Sequence, residues 1–159
     1  MTAIDADPPD VADSAGVKVP PPLLYAGAFA LGMLLQKFAP LRRREARLAG
    51  AGLVAGGVTL LLWTRLLFLQ RGTTILPTRS VSLLVEDGPF RISRNPIYVG
   101  LTATYLGASL LRRSVWPLIL LPGVVIVMQK AVINREESYL ERRFGEEYLD
   151  YKDRVRRWL

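Results

Sequence analysis

The stretch Gly88-Pro89-Phe90-Arg91-Ile92-Ser93-Arg94-Asn95-Pro96-Ile97-Tyr98-Val99-Gly100 is a polar, doubly cationic turn that runs straight into an apolar segment. A later apolar segment ends in Arg135-Glu136-Glu137. Two adjacent carboxylates directly after Val132-Ile133 are costly to desolvate without a cationic partner. Together the two junctions read as walls of a site that accepts a cation at the lipid boundary. Pro96 suits the first turn of a helix, where its missing donor is no loss, and Asn95 is a natural cap. Tyr98, Thr102 and Tyr105 then fall on one face, with Gly100 and Gly107 leaving room for a neighbour or ligand. Each feature also has a plainer account. The first junction alone is a capped helix with interfacial aromatics. The second alone is a solvated helix end with Arg135, Arg142 or Arg143 as local partners. Arg91 and Arg94 could clamp a phosphate or carboxylate, although basic residues beside a span commonly just anchor it to headgroups. Lys130 and Arg65 are placed to snorkel.

Composition narrows the chemistry. The 159 residues include no Cys and no His, which removes thiol nucleophiles, disulfides, the usual general base and the commonest metal ligands. No metal site is expected. Catalysis must draw on carboxylates, Tyr, Arg, Lys or the reactivity of a cofactor. The net charge is +7. In a soluble protein that would suggest nucleic acid; beside long apolar runs it points to anionic headgroups, and nucleic acid is not an expected partner.

The elements that must position these residues are helices. The chain is 50% hydrophobic and 22% charged, with the apolar residues gathered into runs. Residues 1–22, with Asp5, Asp7, Asp10, Asp13 and Pro20-Pro21-Pro22, read as a disordered acidic tail ending in a stiff proline segment, without the basic start of a signal peptide. Four apolar segments follow: Leu23 to about Ala39, Leu48 to about Leu69, Ile97 to Leu111, and Val115 to Ile133. Gly50, Gly52, Gly56 and Gly57 allow the second to approach a neighbour closely. Arg112-Arg113-Ser114 leaves room for a tight hairpin alone. Residues 70–95 read as an interfacial loop with an extended piece at Val81 to Val85. After Ile133 the pattern turns amphipathic, with Tyr139, Leu140, Phe144, Tyr148 and Tyr151 at helical spacing. Gly145 divides two helices, and the second, ending in Arg154-Val155-Arg156-Arg157-Trp158-Leu159, lies on a membrane surface. The expected fold is all-α, a small integral membrane bundle of about four transmembrane helices plus an amphipathic interfacial C-terminal segment. Residues 23–159 form one domain. Four spans put both termini and the 70–95 loop on one face, taken as cytoplasmic from its Lys and Arg content, although Arg42, Arg43, Arg44 and Arg47 argue the other way.

The ordered set from Gly88 to Gly100, then Glu136-Glu137, then Phe144-Gly145-Glu146-Glu147-Tyr148, Tyr151 and Val155-Arg156-Arg157 resembles the isoprenylcysteine carboxyl methyltransferase family and its phospholipid N-methyltransferase relatives. The resemblance covers roughly residues 72–159. These are integral membrane enzymes that use S-adenosylmethionine. Where the prenylcysteine enzymes carry Arg-His-Pro-x-Tyr, this chain has Asn95 in place of the His. Its Asn95-Pro96-Ile97-Tyr98 and Tyr105-Leu106-Gly107 look more like the phospholipid enzymes. The resemblance implies that Phe90, Asn95, Pro96, Ile97 and Tyr98 line the cofactor pocket, with Gly100 on the same helix and Ser82, Leu83, Leu84 and Val85 approaching it. It implies that Glu136 binds the cationic methionine end, with Glu137 close by.

One departure concerns the acceptor. Prenylcysteine enzymes place an Arg four residues before the first glutamate; here that position is Val132, and Lys130 or Arg135 would substitute with a shifted geometry. Arg91 and Arg94 complete the candidate substrate contacts. The acceptor, a lipid or small apolar molecule reached from the bilayer, stays open between O-, N- and S-methylation. An amine acceptor must lose a proton, with Tyr98, Tyr105 or a glutamate (Glu137 among them) as candidates. Two other readings stand beside this one: a non-enzymatic membrane protein binding anionic lipid or a partner, and a sterol-reductase-like enzyme using NADPH.

Overall fold

The computed structural model describes residues 20–41, 46–72 and 83–159. Residues 1–19 of the expected acidic tail, part of the extended piece at Val81 to Val85, and the candidate Ser82 lie outside the described residues. Among those described the fold is all-α, without strands: α1 Pro21–Phe38, α2 Arg47–Gln70, α3 Pro96–Leu111, α4 Trp116–Met128, α5 Asn134–Phe144 and α6 Glu146–Arg154. A 3₁₀ turn, Gly88–Arg91, precedes α3, and a π-helical stretch, Gln129–Ile133, joins α4 to α5 without a break.

Helix starts follow proline. Pro21, Pro96 and Pro117 sit in the first turns of α1, α3 and α4, where the lost N–H has no intrahelical partner. The proline segment expected at the end of the tail is therefore helical at Pro21 and Pro22. α2 and the continuous rod Trp116–Phe144 are long and apolar enough to cross a membrane, and α3 is a shorter apolar helix. The fourth apolar segment does not stop at Ile133 as expected; the rod runs on into its charged end.

The π stretch explains that continuation. One extra residue in a helical turn advances everything beyond it by about 100°. Val124, Met128 and Val132 pack into the core with Tyr25, Tyr98 and Tyr105, while Glu136 and Glu137 face the start of α3 and the chain's C-terminal residues.

α2 and α3 pack through small residues. A Cβ on Gly57 would lie 2.5 Å from Thr104 Oγ1 and 2.7 Å from the Gly100 carbonyl oxygen, and one on Gly107 would lie 2.6 Å from the Gly50 carbonyl oxygen. Of the four α2 glycines singled out in the sequence, Gly50 and Gly57 make this contact; Gly52 and Gly56 have nothing within 4 Å. Gly57→Leu is expected to cost at least about 3 kcal/mol by overpacking the crossing, seen as a lower melting temperature in detergent. Gly56→Leu, one position away, should leave it unchanged or slightly higher.

The α3–α4 hairpin is as tight as expected. The Arg113 N–H bonds the Leu110 carbonyl at 3.0 Å and the Ser114 N–H bonds the Ser109 carbonyl at 3.2 Å. Gly145, at φ 53°, occupies the left-handed region that glycine tolerates best and separates α5 from α6. α6 ends at Arg154, so the expected basic terminal helix is shorter than its sequence suggested. Val155 adopts an extended conformation, and the last five residues run back over the start of α3.

Candidate active site

Asn95 does cap α3 in position, but its side chain does not bond the helix. Its carbonyl accepts from the Tyr98 and Val99 N–H groups at 3.0 and 3.1 Å, while its Nδ2 donates to the Arg157 carbonyl at 3.2 Å. Ser93 Oγ donates to the same carbonyl at 3.1 Å and accepts from the Asn95 N–H at 3.1 Å. The Arg94 N–H reaches the Arg156 carbonyl at 2.9 Å. The C-terminal tail thus forms a strap over the turn before α3, its carbonyls accepting from Ser93, Arg94 and Asn95.

One turn into α3, the Tyr98 hydroxyl straddles the Glu136 carboxylate, 2.7 Å from Oε1 and 2.8 Å from Oε2. The two sequence junctions therefore meet. Tyr98 is buried and Glu136 is half-buried. No cationic side chain is recorded against Glu136 among the described residues, so its carboxylate keeps capacity for a positively charged ligand.

Glu137 is held differently. Its side chain is 7% exposed and lies between two guanidinium groups. Arg157 binds it through both nitrogens of its fork, Nε to Oε1 at 2.9 Å and Nη2 to Oε2. Arg94 Nη2 lies 3.3 Å from Oε1, and Arg94 Nη1 donates to the Lys152 carbonyl at 2.9 Å. Arg94 Nε is buried without a hydrogen-bond partner among the described residues. The bond to Glu137 pushes the Arg157 guanidinium above the usual arginine range, so it stays charged. The two adjacent carboxylates thus have separate situations: among the described residues Glu137 is neutralised by two arginines and Glu136 is bonded by a tyrosine.

α6 completes the wall. The Tyr151 hydroxyl donates to the Phe90 carbonyl at 2.8 Å, and Phe90 packs edge-on against Phe68 of α2, with ring centroids 5.5 Å apart. Burial pushes the Tyr148 and Tyr151 hydroxyls well above the ordinary tyrosine range; both are neutral donors at physiological pH. Trp158 Nε1 donates to Gln129 Oε1 at 3.2 Å, joining the tail to the π stretch.

Beside the strap lies a cavity of about 520 Å³ lined by Leu83, Leu84, Val85, Arg91, Tyr151 and Val155, among others. That is within the range of about 300–1,000 Å³ usual for small-molecule sites. It brings three of the residues predicted to approach a cofactor together with the predicted Arg91. Its rim is tied by the pairs Arg71–Asp87 and Arg154–Glu86.

Other predicted residues are placed elsewhere. Gly100 faces α2, where an added Cβ would meet Leu61 Cγ at 2.9 Å; the room it leaves belongs to a neighbouring helix. Tyr105 donates to the Pro117 carbonyl at 2.9 Å and packs edge-on with Tyr25 and Phe29, two turns of α3 from the Tyr98–Glu136 pair. Lys130 and Arg135 are exposed on the rod, on the faces turned away from the core. Pro96 is buried and Ile97 packs against the core cluster. Tyr105→Phe is expected to lose about 1 kcal/mol of stability and to change the rate of any reaction at Glu136 by less than about twofold, checked by parallel melting and turnover measurements.

Arg157, Ser93, Gln129 and Trp158 were not singled out as site residues from the sequence. The basic tail was legible as unusual, but its charge pattern suggested a membrane-surface helix, not a strap.

A profile of the phospholipid methyltransferase family matches residues 46–147. The match begins just before α2, earlier than the resemblance over roughly residues 72–159 suggested, and stops before the tail that binds Glu137. Over 35 residues, 22% of this chain, the sequence is 54% identical to an uncharacterized protein of Haemophilus influenzae. The aligned stretch spans 56% of that relative. No solved structure matches.

Proposed function

The chain belongs to the phospholipid methyltransferase family, and we propose that it is a multi-pass membrane enzyme transferring a methyl group from S-adenosylmethionine to a lipophilic acceptor that enters from the bilayer. The observation that carries this reading is the meeting of Tyr98 and Glu136 across two helices, with no cationic side chain among the described residues against Glu136.

The residues fit the cofactor by donor chemistry. Glu136, fixed by Tyr98, would hold the ammonium of its methionine end. Arg94 Nε, the buried donor without a partner, suits the carboxylate of the same end. The cavity walled by Leu83, Leu84 and Val85, with Arg91 and Arg154 also in its lining, has the volume for a nucleoside. When bound, the cofactor supplies an activated methyl on a sulfonium, so the protein is asked chiefly to bind, align and dehydrate.

This chain can do all three. Alignment of donor and acceptor can lower the barrier by several kcal/mol. Tyr98 prevents the Glu136 carboxylate from rotating. The strap closes the site on its polar side, with Trp158 packed against the core cluster. If the acceptor is anionic, charge is lost in the transition state and a low-dielectric site favours it. If it is an amine, neither Glu137, occupied by two arginines, nor Tyr105, committed to a backbone carbonyl, is placed to accept its proton. Val132, buried where prenylcysteine enzymes place an arginine, favours an acceptor without a carboxylate to be held there. Four spans would put the site on the face shared by the termini, proposed as cytoplasmic.

The test is transfer of label. Purified protein in detergent, given methyl-tritiated S-adenosylmethionine and a total lipid extract, should place tritium in the organic-soluble fraction. Tritium remaining wholly in the aqueous phase, across a panel of lipid extracts, would count against a lipophilic acceptor.

A further inference from the structure

A second groove opens at the opposite end of the bundle. It has a volume of about 720 Å³ and lies between α1 and the C-terminal end of α3, with Phe29, Met33, Leu34 and Leu111 as apolar walls and Lys37 and Arg112 among its lining residues. Phe29, Met33 and Lys37 succeed one another at one-turn spacing, so they form a line along α1 about 12 Å long. That is close to the depth of one leaflet of a hydrocarbon core about 30 Å thick. The groove is apolar along this line and cationic at its end.

The ends of α1 and α3 mark the membrane boundary independently. Trp116 Nε1 donates to the Ala39 carbonyl at 2.6 Å, and tryptophan with a bonded N–H is characteristic of headgroup depth. Lys37 lies in the last turn of α1 and Arg112 caps α3; both are exposed. Among the described residues neither has a carboxylate partner, unlike Arg94, Arg154 and Arg157 at the other end. Each cation also suits its helix terminus, but that requires neither a groove nor its apolar lining.

We propose that this groove binds one anionic phospholipid, with an acyl chain along Phe29, Met33 and Leu111 and the phosphate between Lys37 and Arg112. The lipid is not the methyl acceptor. Tyr98 lies near the start of α3 and Arg112 at its end, about 20 Å apart along the helix, so the two sites open on opposite leaflets. The inference stands whether or not the chain transfers methyl groups.

The full chain in a neutral detergent, titrated with phosphatidylglycerol and observed by native mass spectrometry, should retain one lipid about tenfold more tightly than phosphatidylcholine. The double variant Lys37→Gln/Arg112→Gln should reduce that preference below about twofold, and Ala108→Trp, which fills the groove, should abolish retention. Equal melting temperatures without lipid confirm that both variants fold; Lys37 and Arg112 are exposed, and Ala108 is partly exposed in the groove. Excess inorganic phosphate should not displace the lipid, because the ion lacks the apolar part. Equal retention of phosphatidylcholine by the parent, an undiminished preference in the double variant, unchanged retention by Ala108→Trp, or displacement by phosphate would each overturn the proposal.

Discussion

Glu136→Gln is expected to weaken S-adenosylmethionine binding at least tenfold, about 1.4 kcal/mol, with little change in melting temperature. Glutamine preserves the shape of the side chain and can still accept the Tyr98 hydrogen bond. What it removes is the negative charge, which no cationic side chain among the described residues neutralises. The effect should therefore appear in ligand affinity and not in folding. Glu136→Asp keeps the charge but withdraws it from Tyr98 by one methylene, so an intermediate loss is expected. A change below twofold for Glu136→Gln, measured by titration calorimetry, would remove this carboxylate from the cofactor site.

The neighbouring substitution should behave in the opposite way. Glu137→Gln leaves Arg94 and Arg157 facing each other across a buried neutral amide. Breaking a buried ion pair on one side costs about 3–5 kcal/mol, or on the order of 6–20 °C in melting temperature for a domain of this size. The tail should also loosen, because Arg157 is its main anchor: limited proteolysis is expected to remove the last residues from the variant faster than from the parent. Arg157→Gln should reproduce the loosening with a smaller loss of stability, since Arg94 still neutralises Glu137. A Glu137→Gln protein as stable as the parent would show that the arginines are satisfied by other means.

The contrast between two consecutive glutamates shows what was readable in the sequence. Hydropathy placed α2, and hydropathy with Pro96 placed α3, to within a residue or so, because a long run of apolar residues has few other solutions in lipid. Gly145 was readable for another reason, since a glycine between two amphipathic stretches commonly ends a helix. The meeting of Tyr98 with Glu136 is a contact between distant positions, suggested by two unusual junctions and strengthened by family resemblance, and its geometry needed coordinates. The strap was not readable. Beside the Arg157–Glu137 pair it is held by the carbonyls of Arg156 and Arg157, groups that every residue carries and that no pattern of side chains announces. Arg156 and Arg157 were visible as charge, and charge at the end of an amphipathic helix ordinarily means a membrane surface. The π stretch was equally silent, since Gln129–Ile133 has no composition that an α-helix would refuse. Gly100 and Tyr105 looked like site residues because they share a helix with Tyr98, but one faces α2 and the other is held by a carbonyl of α4.

The most direct measurement is calorimetric titration of the purified chain in detergent with S-adenosylmethionine and, separately, with NADPH. The account predicts saturable one-site binding of the first, lost in proportion when Glu136 is neutralised, and no heat from the second. Binding of NADPH, or no binding of S-adenosylmethionine by protein that melts cooperatively, would contradict it.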